Sequence, residues 1–375
     1  MFTSVFALIA AAALAAVRVD DAPLPAGYTI PVVDLTKDAS RYTVVDREAG
    51  QYLGHVTTVL LENGRSILAV YPKGHGRGAI VLKRSDNGGK TWSARKRTPA
   101  SWATSLEVPT IFPTVDAAGK KRLVLFSGLY PIRESVSEDE GKTWTELKPI
   151  GDFGGIVAMS CMMRLKNGDY VCMFHDDGRY FQEKAAPKKP VVFTLYQTIS
   201  HDGGLTWQAP SAVFSSSAVH LCEPGIIRSP DGKRLAVLLR ENSRRRNSFV
   251  IFSDDEAGSW SVPRELPAAL TGDRHTAIYC PDGRLLITFR DTTRESVTKG
   301  DWVAWVGTFD DIVNGTEGQY RMLLGKNHYG ADCAYPGLVM LKDGTFVATT
   351  YGHWTEGEQP YILSVRFKVK ALDGK

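Results

Sequence analysis

The sequence predicts an all-β protein, a six-bladed β-propeller of four-stranded antiparallel blades, and two interleaved repeats predict it. The first repeat is a phrase, Ser137-Glu-Asp139-Glu-Gly141-Lys-Thr143-Trp144, that returns as Ser200-His-Asp202-Gly-Gly204-Leu-Thr206-Trp207. A looser copy begins at Ser85 (Asn87, Gly89, Thr91, Trp92) and a worn one at Ser253 (Asp255, Ala257, Ser259, Trp260). Phrases recurring at this spacing signal repeated supersecondary units. The second repeat is a tight turn between two apolar runs, found at Asn63-Gly64, Ala118-Gly119, Asn167-Gly168, Asp231-Gly232, Asp282-Gly283 and Asp343-Gly344. Such dipeptides between apolar runs are hairpin signals, and no long helical periodicity competes with them.

Each element follows from its residues. The runs after the turns, among them Ser66–Val70, Leu235–Leu239 and Leu285–Phe289, are short, apolar and β-rich. In the eight-residue phrase, Ser and Asp side chains bond nearby backbone, Gly supplies a positive φ, and Thr-Trp opens the next strand with an apolar anchor. The phrase is therefore a fold-maintaining turn. Tyr361–Val369 reads as a late strand of the last blade, and either Ile30–Leu35 or Tyr42–Val45 is expected to complete that blade and close the ring.

Composition narrows the class. With 375 residues, 35 Gly and 8 Trp, one large turn-rich β domain accounts for the chain. The apolar run Val5–Ala16 ends in small residues and is too short to span a bilayer. It is read as a signal peptide over residues 1–19, with the propeller over 20–375 and export to the periplasm or medium. The net charge of +4 does not imply nucleic acid, and Arg244-Arg245-Arg246 reads as a solvated loop or an anion contact. Five cysteines without a Cys-x-x-Cys pair suggest buried free thiols. No metal-ligand spacing or cofactor motif occurs, so no metal and no cofactor is expected.

Comparing blades locates a pocket. The innermost strands of a propeller line its axis, and the ninth residue before each hairpin Gly is His55, Thr110, Met159, Glu223, Arg274 or Tyr335. Core-facing strand positions are normally apolar, so His, Glu, Arg and Tyr at equivalent stations point to one axial site. The returning strands end at Tyr71, Ser127, His175, Arg240, Arg290 and Tyr351. Each arginine could be an inter-blade ion pair with Glu241, Asp291 or Glu223. Arg240, Arg274 and Arg290 aimed at one mouth would instead hold an anion, best a substrate carboxylate.

These residues resemble the sialidase family, over most of the chain. The Ser-x-Asp-x-Gly-x-Thr-Trp phrase is similar to the Asp-box of sialidases and related propellers. Cys222-Glu223-Pro224, with Arg240 seventeen residues after Glu223, resembles the family's helper glutamate and one arginine of its carboxylate clamp. Ala334-Tyr335-Pro-Gly-Leu338 before Asp343-Gly344 resembles the nucleophile segment. The resemblance implies Tyr335 as nucleophile and Glu223 as the base that activates it. A phenol avoids the repulsion a carboxylate nucleophile would meet from the carboxylate on the anomeric carbon of a sialic acid, and such enzymes depart from the usual two-carboxylate scheme.

The departures are specific. The Phe/Tyr-Arg-Ile-Pro motif is replaced by His55-Val-Thr-Thr, a place that makes His55 a substrate-binding candidate, and the family's acid/base Asp has no counterpart in the Gly-rich loop holding His75 and Arg77. His75 and Asp176, with Asp291 behind them, are the acid/base candidates, and Arg77 joins the substrate-binding set. The expectation is an exported retaining exo-sialidase-like hydrolase acting on glycans with a terminal acidic sugar. The alternatives are a lyase or atypical hydrolase on uronate glycans, or a non-catalytic glycan-binding propeller.

Overall fold

The apolar runs pair as their hairpin turns dictate. In the computed structural model, which describes residues 23–183 and 189–374, six sheets, antiparallel but for one added edge strand, follow one another along the chain. The segment read as a signal peptide lies outside the described residues. Blade one pairs Thr57–Leu60, Ile67–Pro72 and Ile80–Ser85, and has three strands where four are expected. Blade two runs from Thr110–Val115 to Lys148–Pro149, blade three from Ile156–Arg164 to Ser211–Ser216, and blade four from Leu221–Arg228 to Arg264–Glu265. Blades five and six begin at Gly272–Tyr279 and Gly337–Met340.

Both early segments are used. Tyr42–Asp46 pairs antiparallel with Tyr361–Phe367, so the N-terminal chain supplies the outer strand of the last blade and ties the ring. Val32–Asp34 pairs parallel with Tyr320–Gly325 and gives blade five a fifth strand. The core lies between successive blades, as the cluster of Val124, Phe126, Met159, Cys172 and Phe174 from blades two and three illustrates. All five cysteines are buried free thiols.

The eight-residue phrases are stapled turns. Asp139 Oδ1 accepts from the Thr143 and Lys142 amides at 2.9 and 3.0 Å, while Ser137 Oγ accepts from the Gly141 amide at 2.9 Å. Gly141 takes φ +78°, which a side chain would resist. Asp202 and Ser200 repeat these bonds in the next blade. The worn copy keeps the staple through Asp255 and Ser253, but holds Ala257 at φ +69° where the others have glycine.

One buried carboxyl sits in the framework of blade two. Glu134 is 7% exposed and its Oε1 has no hydrogen-bond partner. Burial, with the charge of Asp202 adding to it, pushes the carboxyl up to about 8. The folded state thus binds this proton more tightly than the unfolded chain, and stability falls as pH rises through the interval between about 4.5 and about 8. Glu134→Gln, which has no proton to lose, is expected to match the wild-type melting temperature at pH 4 and exceed it by a few degrees at pH 9. Parallel melting curves at both pH values would refute the buried neutral carboxyl.

Candidate active site

Where the inner strands enter the mouth, the backbone is bent in the same way in most blades. His55, Val157, Glu223, Arg274 and Ala334 adopt φ of +43°, +47°, +50°, +57° and +57°. Pairing slips nearby, between Ile156 and Cys161, Cys222 and Gly225, and Asp273 and Thr276. A bulge re-aims one side chain, and left-handed non-glycine residues cost about 1–3 kcal/mol each, so they persist only where tertiary packing enforces them. The counted stations shift accordingly. Val157 takes the place expected for Met159, which is buried in the core, and Tyr335 follows the bent residue by one. Thr110 is buried and bonds the Ala158 carbonyl at 3.3 Å.

The mouth opens into a cavity of about 370 Å³, within the range of a small-ligand pocket. Tyr335 from blade six and Glu223 from blade four meet at its wall. The Tyr335 hydroxyl donates to Glu223 Oε1, and Arg240 Nη1 donates to both, at 3.0 Å to the hydroxyl and 2.5 Å to the carboxylate. Glu223 Oε2 is buried without a hydrogen-bond partner among the described residues. Burial, reinforced by the Glu223 charge, pushes the Tyr335 phenol well above its ordinary range although Arg240 and Arg290 oppose it. The phenol is therefore neutral at rest, with its proton already directed at a carboxylate.

A carboxylate that the sequence reading overlooked organises the arginines. Asp273, fully buried, receives Arg290 Nε at 2.8 Å, Arg244 Nη2 at 2.8 Å and Arg240 Nε at 3.2 Å. Burial opposes its ionisation, but the charges of Arg240, Arg290 and Arg244 hold it well below the usual carboxylate range. Arg240 then reaches Asn242 at 2.6 Å, and the Arg290 guanidinium lies 5.2 Å from the centre of the Tyr335 ring. The cluster is thus Arg240, Arg244 and Arg290. Arg274, expected beside them, lines a separate space further along the axis, and Arg244, in its partly exposed loop, makes its anion contact with the Asp273 carboxylate.

Histidines and the remaining candidates surround this floor. His55 packs edge-on against Tyr335 at 4.3 Å, and its Nδ1 accepts from the Gly76 amide at 2.9 Å, which places the proton of the neutral ring on Nε2. Burial lowers His55 well below its ordinary value and His175 to about 4, so both are neutral near pH 7. His75 lines the cavity with Nδ1 2.6 Å from the Tyr52 hydroxyl and 3.4 Å from Asp332. Arg77 lines it too, exposed, with no ion pair among the described residues.

Asp176 is not at the cavity. Its carboxylate accepts from the Gly178 and Tyr180 amides at 2.6 and 3.0 Å, closing a turn, while the neighbouring Asp177 faces the mouth paired to Arg179. Strand alternation puts 176 and 177 on opposite sides, and the turn takes the first. Asp291 is equally remote, buried in blade five against Arg321 Nη2 at 3.1 Å.

Glu107 is the carboxyl that sequence reasoning missed. It precedes the inner strand of blade two, in a stretch with no motif, and lines the same cavity as Tyr335 and Glu223. One oxygen accepts from the Val108 amide at 3.0 Å. Burial raises the carboxyl to about 7, the Glu223 charge adds to this, and the Val108 bond and Arg77 draw it back. Such a group can hold or release a proton near neutrality.

The family model for the BNR repeat-like domain matches residues 80–348, and the chain belongs to that family. A protein of unknown function from Dyadobacter fermentans superposes with a TM-score of 0.67 at 16% identity, over 87% of this chain and 97% of the other. The Hadza microbial sialidase Hz136 gives 0.59 at 17% identity, over 85% and 66%. The NanB sialidase of Streptococcus pneumoniae gives 0.58 at 12%, over 88% and 71%. No curated protein matches the sequence. At these identities the likeness establishes the fold.

Asp273→Asn removes the shared partner of three guanidinium groups. Breaking a buried charge pair from one side costs about 3–5 kcal/mol. Urea unfolding of this variant is expected to show a loss of that order, and a change below about 1 kcal/mol would remove Asp273 from its organising position.

Proposed function

We propose that this protein is an exported, retaining exo-glycosidase that removes a terminal sialic acid, or a related 2-keto-3-deoxy acid sugar, from glycans. The observation that carries this reading is the Tyr335 hydroxyl directed onto Glu223, with Arg240 holding both beside a cavity sized for one sugar. The BNR repeat-like family and the sialidase-like fold support it. So does the leech intramolecular trans-sialidase, a structural relative (TM-score 0.56, 13% identity, 86% of this chain and 69% of that one) complexed with 2,7-anhydro-Neu5Ac.

The chemistry follows from the protonation states. A phenol this far above its ordinary range is a poor nucleophile until its proton leaves, and Glu223 receives that proton as the Tyr335 oxygen attacks the anomeric carbon. Glu107, protonated near neutrality, delivers its proton to the departing glycosidic oxygen. In the second half, ionised Glu107 takes a proton from water. The water oxygen displaces the Tyr335 oxygen, which recovers its proton from Glu223. Arg240, together with the unpaired Arg77, supplies positive charge for the sugar carboxylate and for the transition state. His75 is held by Tyr52 and Asp332 at the rim, where it contacts the sugar rather than the leaving group.

Two measurements test the reading. Release of a fluorophore from an aryl sialoside is expected for the wild type, and Tyr335→Phe should lose at least about 10³-fold in kcat/KM while melting at the wild-type temperature. Turnover preserved in that variant would dismiss Tyr335 as nucleophile. An ultraviolet-absorbing unsaturated product from uronate polymers, without sialoside turnover, would turn the assignment to a lyase. Separately, kcat/KM should fall above about pH 7 as Glu107 loses its proton. Glu107→Gln should abolish that alkaline limb and affect poor leaving groups far more than activated aryl ones. An unchanged limb would exclude Glu107 as the proton donor.

A further inference from the structure

The four arginines buried among the described residues are Arg122, Arg274, Arg290 and Arg321. Arg122 meets Asp116 at 2.8 Å, Arg290 meets Asp273 at 2.6 Å and Arg321 meets Asp291 at 3.1 Å. Arg274, only 5% exposed, has no carboxylate of the described residues within ion-pair reach, and its hydrogen bond goes from Nη1 to the Ser160 carbonyl. A guanidinium is almost never buried unless paired, because an uncompensated charge loses its hydration without replacement. The charge that acts on it most is that of Glu223, which Arg240 already engages directly.

Arg274 borders a second space on the axis, of about 200 Å³, to which all six inner strands contribute: Thr58, Ile111, Ser160, Gly225, Arg274 and Gly337. None of the residues lining the mouth cavity belongs to it. Among the described residues lining it, Arg274 is the one charged side chain; burial lowers His275 and pushes the Cys161 thiol up to about 12, so both are neutral. The His275 Nε2 is committed to the Leu270 carbonyl at 2.8 Å. Large groups are kept out by crowding of the strands. A Cβ on Gly225 would stand 2.4 Å from the His275 carbonyl oxygen, and one on Gly337 2.3 Å from Thr58 Oγ1. Ile111, Phe112, Met162 and Ile226 make much of the wall apolar, which favours weakly hydrated ions.

We propose that this axial space is a binding site for a small monovalent anion of the halide class, held by the Arg274 guanidinium. The anion completes the ion pair that the other buried arginines make with carboxylates. Its lining shares no residue with the mouth cavity, so it is a site separate from the one the glycosidase reading uses. An occupied site would also temper the positive charge that Arg274 presents to Glu223 and Tyr335.

Bromide is the probe. Crystals of the full chain grown in sodium bromide should show an anomalous peak within hydrogen-bond reach of the Arg274 guanidinium. In solution, the melting temperature should rise by a few degrees with bromide but not with equimolar, strongly hydrated fluoride, and Arg274→Met should lose that difference. Should Arg274→Met not fold, Arg274→Lys, which keeps the charge but loses the planar fork, should weaken the bromide dependence. No peak at Arg274, equal melting in bromide and fluoride, or an undiminished bromide response in the folded variants would overturn the site.

Discussion

The ionised carboxylate of Asp273 holds the mouth of this propeller together. It is buried at the start of the inner strand of blade five, where solvent cannot support its charge, so it is supported by three arginines from two adjacent blades. Arg240 spends one edge of its guanidinium on Asp273 and keeps the other for Glu223 and the Tyr335 hydroxyl. Arg290 is fixed behind the Tyr335 ring by the same carboxylate and by the Ala331 carbonyl at 2.6 Å. The nucleophile candidate, its base and their shared cation are therefore positioned by a charge that never faces the cavity.

That arrangement separates two kinds of positive charge. Arg240 and Arg290 have their charges largely matched by Asp273 and Glu223, which holds them in place. Arg77 makes no ion pair among the described residues and is exposed at the wall beside Glu107. The left-handed residues at the strand entries belong to the same economy of position. Their bent backbone turns His55 and Glu223 toward the axis, and the packing of six converging strands keeps them there.

Much of the fold was legible because repeats leave short-range signals. The Gly turns marked each hairpin, and the Asp-boxes marked the outer turns of blades, since both depend on residues within eight positions of one another. Tyr335, Glu223 and Arg240 were legible for a related reason: station counting from the turns placed them near one axis. Met159 shows the limit of counting, since a bulge moves the register by two residues and leaves no mark in composition. Asp176 and Asp177 show another, because adjacent carboxylates are distinguished only by which side of the strand the turn consumes.

The sequence by itself determined the number of blades, the stapled turns and the identity of a tyrosine–glutamate–arginine set, since local hydrogen bonding and hydrophobic alternation encode them. Only the tertiary structure decided which arginines share a carboxylate, that Glu107 lines the same cavity as Tyr335, and that Arg274 lines a separate space. Asp273 and Glu107 carry no local motif. Their roles come from burial and from neighbours on other blades, and both the desolvation that raises Glu107 and the ion pairs that lower Asp273 exist only once those blades have closed into a ring.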